Sequence, residues 1–323
     1  MEHNHHHDHD CCCGHDHDHD HGHDHGQEIH TDKYHQMAAA SSAPADDCKV
    51  LAAVEKIIAE HKAENDNAEV WRFLLSTIDL TTLNATDSTR SVTKFVERVN
   101  DFEDEHPELP SVAAICVYPS FAQVVRSTLE VSDVAVACVA GGFPSSQTFL
   151  EVKVAETALA VADGADEIDI VLNLGDFLDG DWESVADEIS EIKHSCHQAK
   201  LKVILETGAL QTAANVRAAS VLALYAGADF LKTSTGKGYP GASLEAAYVM
   251  ACCIKDYYEA TGKKIGFKAA GGIATTADAV AYYTVIKEVL GEEWLTPELF
   301  RIGASRLANN LLSSILGSET KFF

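Results

Sequence analysis

Eight short apolar runs, two to three dozen residues apart, constrain this chain more than any other feature. They are Thr77–Leu80, Val112–Tyr118, Val134–Val139, Glu167–Leu172, Leu201–Glu206, Phe230–Thr233, Ile265–Lys268 and Phe300–Gly303. Each is nearly continuous rather than alternating apolar with polar, the pattern of parallel strands covered on both faces. Segments of helical periodicity separate them, among them Thr148–Ala162, Leu244–Tyr258 and Thr276–Leu290. Strand and helix alternating eight times predict an α/β fold, the (β/α)8 TIM barrel. A doubly wound open sheet uses the same ingredients, but no G-x-G-x-x-G follows the first strand.

Ahead of the barrel the sequence changes character. Residues 1–36 are a low-complexity tail in which His alternates with Asp from Asp8 through His25. Such a tail buries no core and is expected to be disordered, although His and Cys at this density can bind Zn²⁺ or Ni²⁺ loosely. A linker with Ala, Ser and Pro runs from Gln36 to Ala45, so residues 1–45 form one tail-and-linker unit and 46–323 the barrel domain. A helical cap spans 46–76: Val50, Leu51, Val54, Ile57 and Ile58 fall at helical spacing behind Asp46 and Asp47, and Ala68–Ser76 forms a second helix. The cap packs under or beside the barrel.

Composition narrows the function classes. The net charge is −26, from 24 basic and 50 acidic residues, and the tail holds only a minor part of the excess. Phosphate-backbone binding needs clustered Lys and Arg, so nucleic acid is not an expected partner. No apolar stretch is long enough to span a membrane, and the polar, acidic N-terminus is unlike a secretory signal, which makes the cytoplasm the default compartment. The nine cysteines, with Cys11, Cys12 and Cys13 consecutive and Cys252 and Cys253 adjacent, read as reduced thiols rather than a disulfide framework.

Barrel enzymes carry their chemistry at the C-terminal strand ends. The polar residues at those ends are Asp79, Cys116, Asp169, Glu206, Lys232, Lys268 and Ser305. Two lysines are the most informative. Lys232 stands in Leu231-Lys232-Thr233-Ser234-Thr235-Gly236-Lys237 and Lys268 in Gly266-Phe267-Lys268-Ala269-Ala270-Gly271-Gly272. A desolvated lysine loses its proton more readily, and a neutral amine attacks carbonyls. A second cation about 5 Å away, at an effective dielectric of about 20, adds roughly 3 kcal/mol, or about two pKa units.

These two motifs resemble those of the deoxyribose-phosphate aldolases, a class I aldolase family. The resemblance extends in collinear order through Ile78-Asp79-Leu80-Thr81-Thr82-Leu83-Asn84, Ala113-Ala114-Ile115-Cys116-Val117-Tyr118-Pro119, Gly164-Ala165-Asp166-Glu167-Ile168-Asp169 and Phe300-Arg301-Ile302-Gly303-Ala304-Ser305. It covers roughly residues 70–316 and leaves the tail outside. It implies reversible cleavage of 2-deoxy-D-ribose 5-phosphate to D-glyceraldehyde 3-phosphate and acetaldehyde, in deoxyribonucleotide catabolism, with no cofactor and no catalytic metal. Lys232 matches the Schiff-base lysine and Lys268 the lysine that tunes it. Asp169 matches the proton donor and acceptor, with Asp166 and Glu167 read as surface or turn residues. Asp79 matches the first-strand aspartate that supports Lys268, and Cys116 the cysteine near the aldehyde. Phosphate binding is expected from backbone N–H groups at helix N-termini, with Gly236, Gly271, Gly272 and Gly303 permitting close approach, Lys237 and Ser305 adding a charge and a hydroxyl, and Thr235 and Cys116 among the substrate-binding residues. A homodimer would be unsurprising for such a protein.

Two departures stand out. Ala274 and Arg306 occupy positions where relatives often carry Arg and a second Ser, so the phosphate contact is rearranged or weakened. The chain ends Thr320-Lys321-Phe322-Phe323 and has no tyrosine after Tyr283, where some relatives end in a tyrosine that reaches the site. Two other readings remain: a different Schiff-base barrel aldolase, and a metal-binding protein acting through its tail.

Overall fold

The computed structural model describes residues 32–323. The expected disorder and metal binding of the tail fall almost wholly outside them. Eight parallel strands close into a barrel in sequence order, with β1 pairing both β2 and β8. They are β1 (Ile78–Thr81), β2 (Ala114–Val117), β3 (Ala135–Val139), β4 (Glu167–Val171), β5 (Lys200–Ile204), β6 (Phe230–Lys232), β7 (Gly266–Ala270) and β8 (Phe300–Ala304). Every apolar run of the sequence is a strand, with ends shifted by one or two residues. β5 stops at Ile204 rather than Glu206, because Glu206 takes a left-handed backbone (φ 53°) that an extended strand cannot continue through.

The helices are α1 (Lys33–Ala40), α2 (Asp47–Asn65), α3 (Ala68–Ser76), α4 (Thr89–Glu105), α5 (Ala122–Thr128), α6 (Leu150–Ala162), α7 (Leu174–Asp179), α8 (Trp182–Ser195), α9 (Thr207–Leu210), α10 (Ala213–Tyr225), α11 (Leu244–Thr261), α12 (Thr276–Leu290) and α13 (Leu307–Leu316). Asp46 caps α2 by accepting from the Lys49 backbone N–H. α2 lies along α11 and α12, and α3 along α12 and α13, so the cap sits beside the barrel on its helical ring. One expectation fails here. The segment read as tail and linker contains α1, capped by Asp32, with Tyr34 and Ala38 buried and His35 stacked on Trp182 at 3.7 Å between ring centroids. Eight residues of modest amphipathicity do not announce a helix; tertiary packing against α8 and α10 supplies what local propensity lacks.

The two faces of each strand differ. Ile78, Leu80, Ile115, Val117, Ile168, Ile170, Leu201, Val203, Leu231, Phe267, Phe300 and Ile302 pack outward against the helices in the main core. The alternate residues point into the barrel, where Leu83, Ala114, Cys116, Ala137 and Val139 make a small apolar wall. The remaining interior positions are largely charged: Asp79, Glu167, Asp169, Lys202, Lys232, Lys268 and Arg301 are all buried. Phe230 also occupies the interior, and Gly266 on the next strand gives it room. A Cβ at Gly266 would lie 2.2 Å from the Phe230 ring.

The chain's end is fastened to the outside of the barrel. The Asn309 side chain accepts from the backbone N–H groups of Phe322 (2.7 Å) and Phe323 (3.0 Å) and donates to the Phe323 carbonyl. The two phenyl rings pack on Phe102, and Phe322 also meets His106.

Candidate active site

Strand register places the chemistry. Lys232 of β6 stands level with Lys268 of β7, and Lys268 level with Arg301 of β8. Asp169 of β4 stands level with Lys202 of β5. All point inward and are nine-tenths or more shielded from water, so each charge must find its partner inside. Asp169 is the hub. One carboxylate oxygen accepts from the Nζ of Lys232 (2.7 Å) and of Lys268 (2.8 Å), and the other from Lys202 (2.9 Å). Asp79 contacts Lys268 as an ion pair and lies 3.4 Å from the Lys202 amine.

The four residues expected at the centre, Lys232, Lys268, Asp169 and Asp79, are thus brought together. Burial pushes the Lys232 amine below its ordinary pKa, with the Lys268 charge adding to the effect and Asp169 opposing it. Sequence alone points to the second lysine as the leading cause; the geometry assigns that part to desolvation. Burial would lower Lys268 as well, but Asp169 and Asp79 outweigh it, so its pKa is raised and it stays a cation. Burial likewise opposes the charge on Asp169, and Lys202, Lys232 and Lys268 together hold its carboxyl well below the usual range. The constellation therefore holds one amine biased toward the neutral form beside a permanent ammonium and a permanent carboxylate.

Above Lys232 opens a cavity of about 260 Å³ at the C-terminal mouth, lined by Thr81, Leu83, Asn84, Thr235, Gly236, Lys237, Gly271, Gly272, Ala274, Gly303, Ser305 and Arg306, among others. Every expected phosphate-binding residue is in that wall. Gly236, Gly271 and Gly272 have φ of 73°, 88° and 82°, a backbone that side chains resist. Gly303 serves a different purpose: a Cβ there would come within 3.1 Å of the Lys268 side chain. The Thr235 hydroxyl donates to the buried Glu206 (2.5 Å) and accepts from the Lys237 backbone N–H (3.1 Å), and the Thr235 backbone N–H, expected to face phosphate, also donates to Glu206 (3.3 Å). Arg306 is exposed at the rim, in front of α13, whose first turn has no side-chain cap. Cys116 is buried on the opposite wall, and burial raises its thiol pKa, so it is a small apolar surface at neutral pH.

Sequence reasoning misses three members. Glu167, expected at the surface, is buried and accepts from both terminal nitrogens of Arg301, at 3.1 and 2.9 Å. Asp166, its neighbour, does lie at the surface, paired with Arg126. Lys202 touches Asp169, Glu167 (2.5 Å) and Asp79, and Arg301 donates to Asp79 (2.7 Å). One partial signal was available: Glu167 and Asp169 stand two apart and so share one face of β4, which ties Glu167 to the side on which Asp169 was expected. A larger cavity of about 1010 Å³ lies at the other, N-terminal mouth, where Glu167 and Arg301 form part of its lining. It is remote from the Lys232 amine.

Comparison with known proteins finds relatives over most of the chain. Residues 73–289 match the DeoC/LacD family aldolase description. The human deoxyribose-phosphate aldolase is 41% identical over 273 residues, covering 81% of this chain and 86% of that protein. The Agrobacterium fabrum deoxyribose-phosphate aldolase is 38% identical over 252 residues, covering 78% and 93%. The tetrameric deoxyribose-phosphate aldolase structure from Aeropyrum pernix is 26% identical, with a TM-score of 0.61, covering 81% of this chain and 96% of that one. The chain belongs to the DeoC/LacD aldolase family.

Proposed function

We propose that the protein is a class I deoxyribose-phosphate aldolase, cleaving 2-deoxy-D-ribose 5-phosphate to D-glyceraldehyde 3-phosphate and acetaldehyde. The observation that carries the reading is a single buried amine, Lys232, biased toward neutrality by burial and lying between Asp169 and a glycine-walled cavity. The neutral Lys232 amine adds to the C1 aldehyde to give a carbinolamine. Loss of water, with Asp169 and Lys268 managing the protons, leaves an iminium. The C3 hydroxyl passes its proton through a water to Asp169, the C2–C3 bond breaks, and its electron pair flows into the iminium. D-Glyceraldehyde 3-phosphate departs, leaving an enamine that is protonated at carbon and hydrolysed to acetaldehyde and free Lys232. The iminium is the electron sink, so the chemistry requires neither cofactor nor metal.

The phosphate is held at the cavity wall by the backbone of Gly236, Gly271, Gly272 and Gly303, by Lys237 and Ser305, and by Arg306 in the role that Ala274 cannot fill. Asp79 holds Lys268. The reaction runs in the cytoplasm; among the described residues no helix is long and apolar enough to cross a membrane. The chain pairs as a homodimer, and its tail binds Zn²⁺ or Ni²⁺ without effect on turnover.

Trapping with acetaldehyde and cyanoborohydride, followed by peptide mapping, tests the assignment. An ethyl group on Lys232, formed equally well under excess chelator and after removal of residues 1–31, is the expected result. Modification elsewhere, or turnover lost to chelator, would reject it. Sedimentation and metal titration of the same two proteins check the dimer and the tail.

A further inference from the structure

The seven charged side chains that the strands turn into the barrel balance only when one of them is neutral. Asp79, Glu167 and Asp169 are the anions; Lys202, Lys268 and Arg301 are the cations that keep their protons. With Lys232 neutral this strand-borne set carries no net charge, and with Lys232 protonated it holds one cation in surplus; Glu206, buried beyond the end of β5, stands outside the set and is common to every variant below. The contacts form one connected set. Lys202 bridges Asp169 to Glu167, and Arg301 bridges Glu167 to Asp79. Arg301 spends its donors there, two on Glu167, one on Asp79 and one on the Pro297 carbonyl. It and Glu167 lie toward the N-terminal mouth, away from the substrate cavity.

We propose that Arg301 and Glu167 are positioning residues for the aldol reaction: acting through Asp79 and Lys202 from the far end of the barrel, they set how much of Lys232 stands unprotonated. The proposal rests on Lys232 being the Schiff-base amine. In a medium of low polarity, net charge is the quantity that the interior resists, and each remote member shifts it by one unit. Removing the Glu167 charge deepens the surplus that protonation of Lys232 would create. Removing the Arg301 charge leaves a deficit that protonation would fill. The two changes therefore push Lys232 in opposite directions.

The remaining groups around Lys232 leave that sign unchanged. β1 offers Asp79, β2 the thiol of Cys116, β4 Glu167 and Asp169, β5 Lys202, β7 Lys268 and β8 Arg301. β3 presents Ala137 and Val139, with no charge. At the mouth stand Glu206, bonded to Thr235, and the exposed Lys237 and Arg306.

The test is the acid limb of the pH profile, read both from kcat/KM and from the rate of cyanoborohydride trapping on Lys232. Glu167→Gln should move that limb down by about one pH unit and Arg301→Gln should move it up by about one, the reach of one charge across a few side chains. Arg301→Lys keeps the charge and should leave the limb in place. The double variant Glu167→Gln/Arg301→Gln restores the balance with neutral groups, an exchange that buried pairs commonly tolerate, and should track the wild type. Shifts of the two single variants in the same direction, or none, overturn the proposal. Should either single variant fail to fold, a double variant displaced by a full unit overturns it alone. Absence of any adduct on wild-type Lys232 would instead defeat the aldolase assignment itself.

Discussion

Replacing Lys268 by methionine separates what the second lysine does electrostatically from what it does as a proton carrier. The amines of Lys232 and Lys268 bond to the same oxygen of Asp169, at 2.7 and 2.8 Å, so they stand no more than about 5.5 Å apart. Two unit charges at that distance, at an effective dielectric of about 20, repel by about 3 kcal/mol. That is about two pKa units removed from Lys232 by its neighbour. A methionine in its place would withdraw the repulsion and leave Asp79 and Asp169 less compensated, and both effects raise the Lys232 pKa. The acid limb of kcat/KM for 2-deoxyribose 5-phosphate cleavage should therefore climb by up to about two pH units. At a fixed pH on that limb the neutral amine falls roughly a hundredfold, and raising the pH should recover that part of the loss. The trapping rate with acetaldehyde should follow the same limb, and Lys268→Arg, which keeps the charge, should keep the limb where it is. A Lys268→Met enzyme whose profile is lower at every pH but unshifted along the pH axis would refute the electrostatic role and leave Lys268 as a proton carrier only.

Gly266→Ala should be severe, because the new methyl would stand 2.2 Å from the Phe230 ring in a packed interior. A loss of about 3 kcal/mol or more in denaturant titration is expected, partly restored by Phe230→Leu in the same chain. Arg306→Ser should raise KM for the phosphorylated substrate about tenfold with kcat little changed, and leave unphosphorylated 2-deoxyribose unaffected. Acid should unfold the protein through Asp79 and Asp169. Burial opposes their ionisation, but the surrounding cations win, and both carboxyls are held below their unfolded-state pKa. Their contribution is thus fully present above about pH 5 and is lost progressively as the pH falls below it. Asp79→Asn should flatten the fall of unfolding free energy between about pH 5 and 2, as followed by urea midpoints.

The barrel was legible because each strand is covered on both faces and reads as an apolar run. The upper half of the site was legible too, since Lys232, Lys268 and Asp169 close such runs beside glycine turns. Lys202, Glu167 and Arg301 were not, for a physical reason. They lie inside or at the start of their strands, where a lone charge in sequence is indistinguishable from an edge or a surface residue until closure decides which face is inward. Helix α1 was missed for a related reason. Its stability comes from α8, with Trp182, and from α10, far along the chain, rather than from its own eight residues.

The bond from Arg301 to Asp79 joins residues 222 apart in sequence, across the seam where the last strand meets the first. Until that seam closes, Asp79 and Glu167 lack their shared guanidinium inside a structure that already excludes water. A barrel of seven strands would therefore hold its carboxylates one cation short, with only the lysines of β5, β6 and β7 to offset them, and such a partly closed form has little reason to accumulate. Closure by β8 becomes the step that makes the earlier strands worth forming. The same charges that surround the Lys232 amine act as a lock on the order of assembly, favouring all-or-none formation of the barrel over stepwise growth.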